Sequence, residues 1–381
     1  MVVGSRVKRG ALVVAVASVM MTGGLPSLVS AAPAAAGLLE PYGLTNSGDT
    51  NAKTDRMLTW LAAENTYTNP YFKLAPVGQD VNAAPATSNS CLRYPLLEQM
   101  ATYDAFACMM LRLTPGTTYN YILGANAGTT VVESPVYQFT TASATAATDD
   151  TGFTFIDVAD TYGVAGTYQK NWANTLDAAL ANNPSARFVA ANGNLTASSD
   201  MIQFNYWLGA TGERLTGVGF NPVLGNLQAL QSAQSVWEGV FPRESLVDSP
   251  FNLLQEGALE YAQVYGNALM LYINTNMSTP DQIAKTTAWA KTVVQEYGKN
   301  PDGTDRFIIA LQGQTPYGAA ERGASALEKA YHDLGVDLVF GGQDGIYTRS
   351  LPIQWSASAG TGVWDRAKVG LKTINSDTDG L

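Results

Sequence analysis

The sequence predicts two folded units in series, an all-β sandwich followed by a layered α/β domain. Three observations carry that expectation. Short β-prone runs parted by Gly, Pro, Asn and Asp fill the chain as far as residue 142. A small, polar stretch, "ASATAATDD", comes next. From Gly152 onward, apolar strands alternate with segments of helical period. The 381 residues suffice for both units and a sizeable core.

Residues 1–36 read as a secretory signal and spacer. Arg6, Lys8 and Arg9 form a basic start, "ALVVAVASVMM" an apolar run, and "SLVSAAPAAAG" offers small residues for cleavage. The run is too short and too interrupted to count as a spanning helix, and no later stretch approaches about 18 apolar residues. A secreted, extracellular or cell-envelope location is expected. Residues 37–142 form the predicted sandwich, with strands at "RMLTWLA", "PYFKLAP", "AFACMMLRL", "TYNYILGA" and "SPVYQFTT". Its two cysteines, Cys91 and Cys108, allow one disulfide or two separate buried thiols, and the sequence leaves that choice open.

A linker covers 143–151, and the α/β domain runs from 152 to 381. Its predicted strands are "FTFIDV", "ARFVAA", "NPVLG", "ALMLYIN", "RFIIAL" and "VDLVF". One helix is expected in "YQKNWANTLDAALANNP", burying Trp172, Leu176, Ala179 and Leu180 and stopping at Pro184. A second begins at Thr279, with Pro280 at its first position and Gln282 placed to close a capping box. Its expected apolar stripe is Ile283, Ala290, Val293, Val294 and Tyr297, and Gly298 ends it. In "ALEKAYHDLG" the stripe is Leu327, Ala330, Tyr331 and Leu334. The sole histidine, His332, lies about 140° from Leu327 on a helical wheel and is expected to face solvent.

The formal charge is −10, and beyond the first residues there is no Lys/Arg cluster. Such a chain repels nucleic acid and anionic membranes, so an extracellular ligand or protein is the expected partner. Charged residues make up only 14% and hydrophobic ones 46%, a folded rather than disordered composition.

In α/β sheets, ligands gather beyond the carboxyl ends of the strands. Five of the predicted strands end in a polar residue near glycine: "ADTYG" with Asp160 and Tyr162, "NGNLT" with Asn194, "GNLQ" with Asn226 and Leu227, "QGQTPYG" with Gln314, and "GGQDG" with Gln343, Asp344 and Gly345. One such loop is ordinary turn chemistry. Five in succession point to a site, or to what remains of one.

These blocks, in this order, resemble the purple-acid-phosphatase branch of the calcineurin-like metallophosphoesterases. "LTPGTTYNY" resembles the fibronectin-type-III pattern, with Tyr119 at the corner where the chain changes sheets. The resemblance implies a fibronectin-III-like sandwich followed by an αββα-type metallophosphoesterase-like domain. It implies an end short of the family's last strands, since the chain stops at "SDTDGL". It also implies a phosphate-ester hydrolase with two metal ions (Fe, Zn or Mn) bridged by an aspartate. Carried over position by position, Asp160 matches the first aspartate and Asn226 the asparagine of the third loop. The bridging aspartate is Asn194, the phosphate-contacting histidine is Leu227, one ligand histidine is Gln314, and the final Gly-His-x-His is Gly342, Gln343, Asp344, Gly345. The family's colour-giving tyrosine would fall near Ala197 and is absent from this sequence. Only Asp160 and Asn226 survive as metal ligands.

Two divalent ions about 3.5–4 Å apart need a bridging anion and strong donors. Zn and Fe favour nitrogen and sulfur, whereas these amides offer neutral oxygen. The expectation is therefore a secreted pseudophosphatase with no cofactor and a binding or structural role. A weak single Ca²⁺ on the oxygen donors is a further possibility. Two alternatives stand beside this reading. One is an active enzyme rebuilt from groups such as Asp157, Asp344 or Glu321. The other is a module for a glycan or another neutral polar ligand, using the amides with Tyr162, Tyr317, Tyr347 and Arg349.

Overall fold

A computed structural model of the chain describes residues 42–44, 53–96, 103–143, 152–162, 168–198, 200–229, 234–242, 247, 259–276, 279–315, 327–343, 345, 347–350 and 371–374. The signal region, most of the linker, Asp344, Tyr317, Glu321 and the chain end lie outside the described residues.

The N-terminal unit is built from β1 (Tyr42–Leu44), β2 (Arg56–Ala63), β3 (Thr68–Pro76), β4 (Cys91–Leu96), β5 (Tyr103–Met110), β6 (Thr118–Ala127), β7 (Thr130–Glu133) and β8 (Tyr137–Thr140). One antiparallel sheet has the order β1-β2-β5-β4; in the other, β6 pairs with β3, β7 and β8. Leu58, Trp60, Phe106, Met110, Tyr119, Tyr121, Leu123 and Phe139 fill the space between them. Each such side chain, fully buried, contributes roughly 1.5–3 kcal/mol. The β4 strand was not among the predicted runs, because it is short and carries Pro95 and Arg93. It brings Cys91 directly opposite Cys108, and the two are joined in a disulfide. The Tyr119 hydroxyl accepts the backbone N–H of Thr114 at 2.8 Å, which pins the turn into β6.

The second unit has two sheets packed face to face. The first is wholly parallel, in the order β11-β10-β9, from β9 (Thr154–Val158), β10 (Ala186–Asn192) and β11 (Gly219–Val223). The second has the order β12-β13-β14-β15, from β12 (Tyr261–Tyr265), β13 (Ala268–Ile273), β14 (Phe307–Gln314) and β15 (Leu338–Gly342). Here β13, β14 and β15 run parallel and β12 antiparallel. Phe155, Phe188, Tyr265, Met270, Tyr272, Ile309 and Leu311 meet between the sheets, with Phe155 and Phe188 stacked at 5.1 Å. The outer face of the first sheet is covered by α1 (Tyr168–Asn182), α2 (Met201–Thr211) and α3 (Gln234–Val240); that of the second is covered by α4 (Pro280–Tyr297) and α5 (Glu328–Leu334). An antiparallel pair, β16 (Tyr347–Ser350) with β17 (Leu371–Ile374), follows.

The local signals explain most of these elements. Thr279 and Gln282 form a complete capping box at the start of α4. Its buried side is Thr286, Trp289, Ala290 and Val293, while Ile283, Val294 and Tyr297 are half-buried. Trp172, Leu176 and Ala179 are buried in α1, and His332 is exposed on α5. Two strands sit two residues from their predicted place, β11 earlier and β15 later. β11 is buried throughout, whereas β15, expected to be a buried strand, leaves Leu338 and Val339 exposed. Among the described residues, no helix is long and apolar enough to cross a membrane.

The two units share packing. The Tyr121 hydroxyl donates to Thr216 O at 2.8 Å, and Ala105, Leu61 and Tyr103 join the core beneath α1 and α2. Ala142, just before the linker, is buried with Phe155 and Tyr265.

Candidate functional site

The carboxyl ends of the parallel strands converge, and backbone contacts tie their loops together. Beyond β9, Asp160 N donates to Gly193 O at 3.3 Å and Tyr162 N to Asn194 O at 3.1 Å. The β11 loop reaches the same point through Gly225. A Cβ there would lie 2.2 Å from Asn194 N, so only glycine permits the approach. From the second sheet, Asn276 Nδ2 donates to Leu224 O at 3.0 Å, and Gln314 N to Thr275 Oγ1 at 2.8 Å. The loop after β15 places Gln343 over Gly193 and Gly313; Cβ atoms at those glycines would sit 3.2 and 3.3 Å from Gln343 Nε2.

The structure therefore brings together Asp160, Asn194, the 225–228 loop and Gln343. Asn194 and Gln343 form the floor, 6% and 7% exposed. Asp160, Leu227 and Gln314 are half-buried, while Asn226, Tyr162 and Gly345 stand exposed at the rim. Three non-glycine residues here, Asp160, Asn194 and Gln343, have left-handed backbones, with φ of 52°, 29° and 67°. Such conformations cost of order 1–3 kcal/mol each and gather at sites that hold a side chain in a set direction. Asn and Asp tolerate this region better than Gln does.

The hydrogen bonds show what these side chains do. Asn194 Nδ2 donates to Asp160 Oδ1 at 3.1 Å, and Asn194 Oδ1 accepts from Leu227 N at 3.2 Å. One amide thus links the ends of β9, β10 and β11. Gln228 Nε2 donates to Thr196 O and Oγ1 at 2.5 and 3.0 Å, holding the loop after β10 to the loop after β11. The polar run Asn274–Asn276 after β13 is a sixth strand end that the sequence reading passed over. Its signal was there, an Asn-Thr-Asn directly after an apolar strand. Asn192, the first residue of the quoted "NGNLT" and the last of β10, was not singled out.

Asn192 belongs to a second layer beneath the floor. Its Nδ2 donates to Asp157 Oδ1 at 2.7 Å between the two sheets. Burial pushes the Asp157 carboxyl well above the usual carboxylate range, against a smaller lowering by Asn192. Asp157 is therefore a buried residue of the sheet interior rather than a cap at the strand end. Farther along, Asn221 Nδ2 donates to Tyr272 OH at 2.9 Å and Gln263 Oε1 at 3.1 Å.

A two-metal centre does not fit this donor set. Where a bridging anion would be needed, Asn194 presents an N–H donor already satisfied by Asp160. Where an imidazole would be needed, the Gln343 amide lies among glycine backbones. Among the described residues, no group of three or more His, Cys, Asp or Glu could hold a metal ion.

The structure of purple acid phosphatase PPD1 from yellow lupin (Lupinus luteus) seeds superposes with a TM-score of 0.65 at 14% identity, over 84% of this chain and 60% of the lupin chain. The fold is purple-acid-phosphatase-like. At that identity the likeness concerns fold alone, and the chain spans 60% of the lupin protein's length. Astrotactin-2 (TM-score 0.21, 13% identity, 34% of this chain and 26% of that one) and a redesigned β-sandwich protein (0.19, 17%, 27% and 95%) superpose too poorly to support any argument. No protein-family model matches the sequence. No curated protein matches it either.

Two predictions follow from the hydrogen bonds. Asn194→Asp sets a carboxylate against Asp160 and removes the donor between them, so the loops repel. Thermal unfolding of this variant should show a loss of about 1–3 kcal/mol at neutral pH. The loss should shrink near pH 4, where carboxylates protonate; an equal loss at both pH values contradicts the account. For Asp157, the folded chain keeps a proton that the unfolded chain releases near pH 4. Stability should therefore fall as pH rises from about 4 through the raised folded-state value. Asp157→Asn should flatten that slope in urea titrations, because an amide cannot titrate and offers Asn192 Oδ1, which lacks a partner, an N–H. An unchanged slope would remove Asp157 as its source.

Proposed function

We propose that the chain is a secreted purple-acid-phosphatase-like protein that does not hydrolyse phosphate esters and acts by binding. The observation that carries this reading is the Asn194 N–H donated to Asp160 at the place where two metals would need a shared anion. Without bound metal, the attacking water stays far above the pKa of about 7 that a metal can give it. No described side chain replaces that effect, since His332 lies exposed on α5.

The N-terminal unit is a fibronectin-III-like sandwich in this reading. The corner bond of Tyr119 and the sheet order support it. The Cys91–Cys108 disulfide supports an oxidising, extracytoplasmic location. The packing of Tyr121 on Thr216 supports a sandwich that presents the second unit in a fixed orientation.

The test is hydrolysis of p-nitrophenyl phosphate by the full chain across acidic and neutral pH, with Fe, Zn or Mn supplied. Turnover is expected to stay at the background of an Asp160→Ala variant. Metal-dependent turnover that Asp160→Ala abolishes would overturn the reading.

A further inference from the structure

The second unit leaves one strand uncovered. Its two sheets have four edge strands, β9, β11, β12 and β15. Every residue of β11 and β12 is buried, and so is β9 beyond its first residue. In β15, Leu338 and Val339 are 38% and 39% exposed, Phe340 is half-buried and Gly341 is exposed. Among the described residues, β15 pairs with β14 alone. Its sequence, Leu-Val-Phe-Gly-Gly, is that of an interior parallel strand. It carries neither a charge nor a proline, the usual protection of an open edge.

The free side of this strand has a defined pattern. The Asp337 backbone N–H donates to Ile308 O at 2.8 Å, toward β14. Backbone groups alternate in direction along a strand. Val339 therefore also faces β14, while Leu338 and Phe340 turn their N–H and C=O outward. The Phe340 ring meets Phe155 edge-on at 5.7 Å, between the two sheets. Leu338 shares that face and Val339 takes the other, because side chains alternate as well. A second β15, running antiparallel, matches both patterns. A two-fold axis through Val339, perpendicular to the sheet, sets Leu338 against Phe340 of the partner subunit, and the reverse. These are the outward-facing residues, so two hydrogen-bonded pairs close at once. Val339 meets Val339 of the partner subunit on the opposite face. Asp337 falls opposite Gly341 of the partner subunit, so no like charges meet along the strand, in a chain whose net charge is −10.

We propose that β15 is an interface at which two copies of the chain pair edge to edge and join their second sheets into one. The test is sedimentation equilibrium of the full chain over loading concentrations from about 1 to 200 μM. A monomer–dimer equilibrium is expected in that range, since so short a contact gives a reversible dimer. Val339→Lys sets two ammonium groups opposite each other and should weaken association about tenfold or more. Val339→Glu should do the same with two carboxylates. An equal mixture of the two variants should dimerise again, because unlike charges then face each other. A chain that stays monomeric at every concentration overturns the proposal. So does a dimer that Val339→Lys leaves intact, because its contact lies elsewhere. So does a mixture that fails to recover although both variants keep the circular dichroism of the parent chain.

Discussion

The Asn194 carboxamide sits where three parallel strands end. Its N–H faces Asp160 and its oxygen faces the backbone N–H of Leu227. Glycine at 225 lets that loop approach closely enough for the contact to form. In a cleft of this layout, two carboxylates at positions 160 and 194 would need a cation between them. The Asn194 N–H meets the Asp160 carboxylate directly, at 3.1 Å. The left-handed backbones at Asp160, Asn194 and Gln343 fix the path of these loops and the direction of the side chains at their apices.

Below the cleft, the fold is held by ordinary means. Aromatic side chains of both sheets stack between the layers, and helices cover each outer face. Polar pairs such as Asp157–Asn192 and Asn221–Tyr272 occupy the same interior near the strand ends. Each of these side chains makes at least one hydrogen bond there, which offsets part of the cost of burying it. The sandwich is fastened to this body through Tyr121 and the apolar contacts of Leu61, Tyr103 and Ala105.

Much of this was legible in the sequence. The capping box at Thr279, the stripe of α1, the exposure of His332 and the polar strand-end loops all rest on local patterns, and local patterns survive in a single chain. The misses have physical reasons. The β4 strand carries a proline and an arginine, so its β signal is weak. Trp289 and Thr286 were left out of the α4 stripe, yet both are buried against the second sheet. The internal bonding of Asn194 was beyond reach, because it depends on atoms 33 and 34 residues away. The sequence resemblance implied amides at these positions; the structure shows how Asn194 bonds there, to Asp160 and to Leu227. Asp344, Tyr317 and Glu321, which the sequence also raised, lie outside the described residues.

The central claim is that hydrogen bonds, not metal ions, organise the strand-end cleft. Elemental analysis of the purified, folded full chain after dialysis tests it most directly. The account predicts Fe, Zn and Mn far below one ion per chain. Close to two such ions per chain, retained through dialysis, would contradict it.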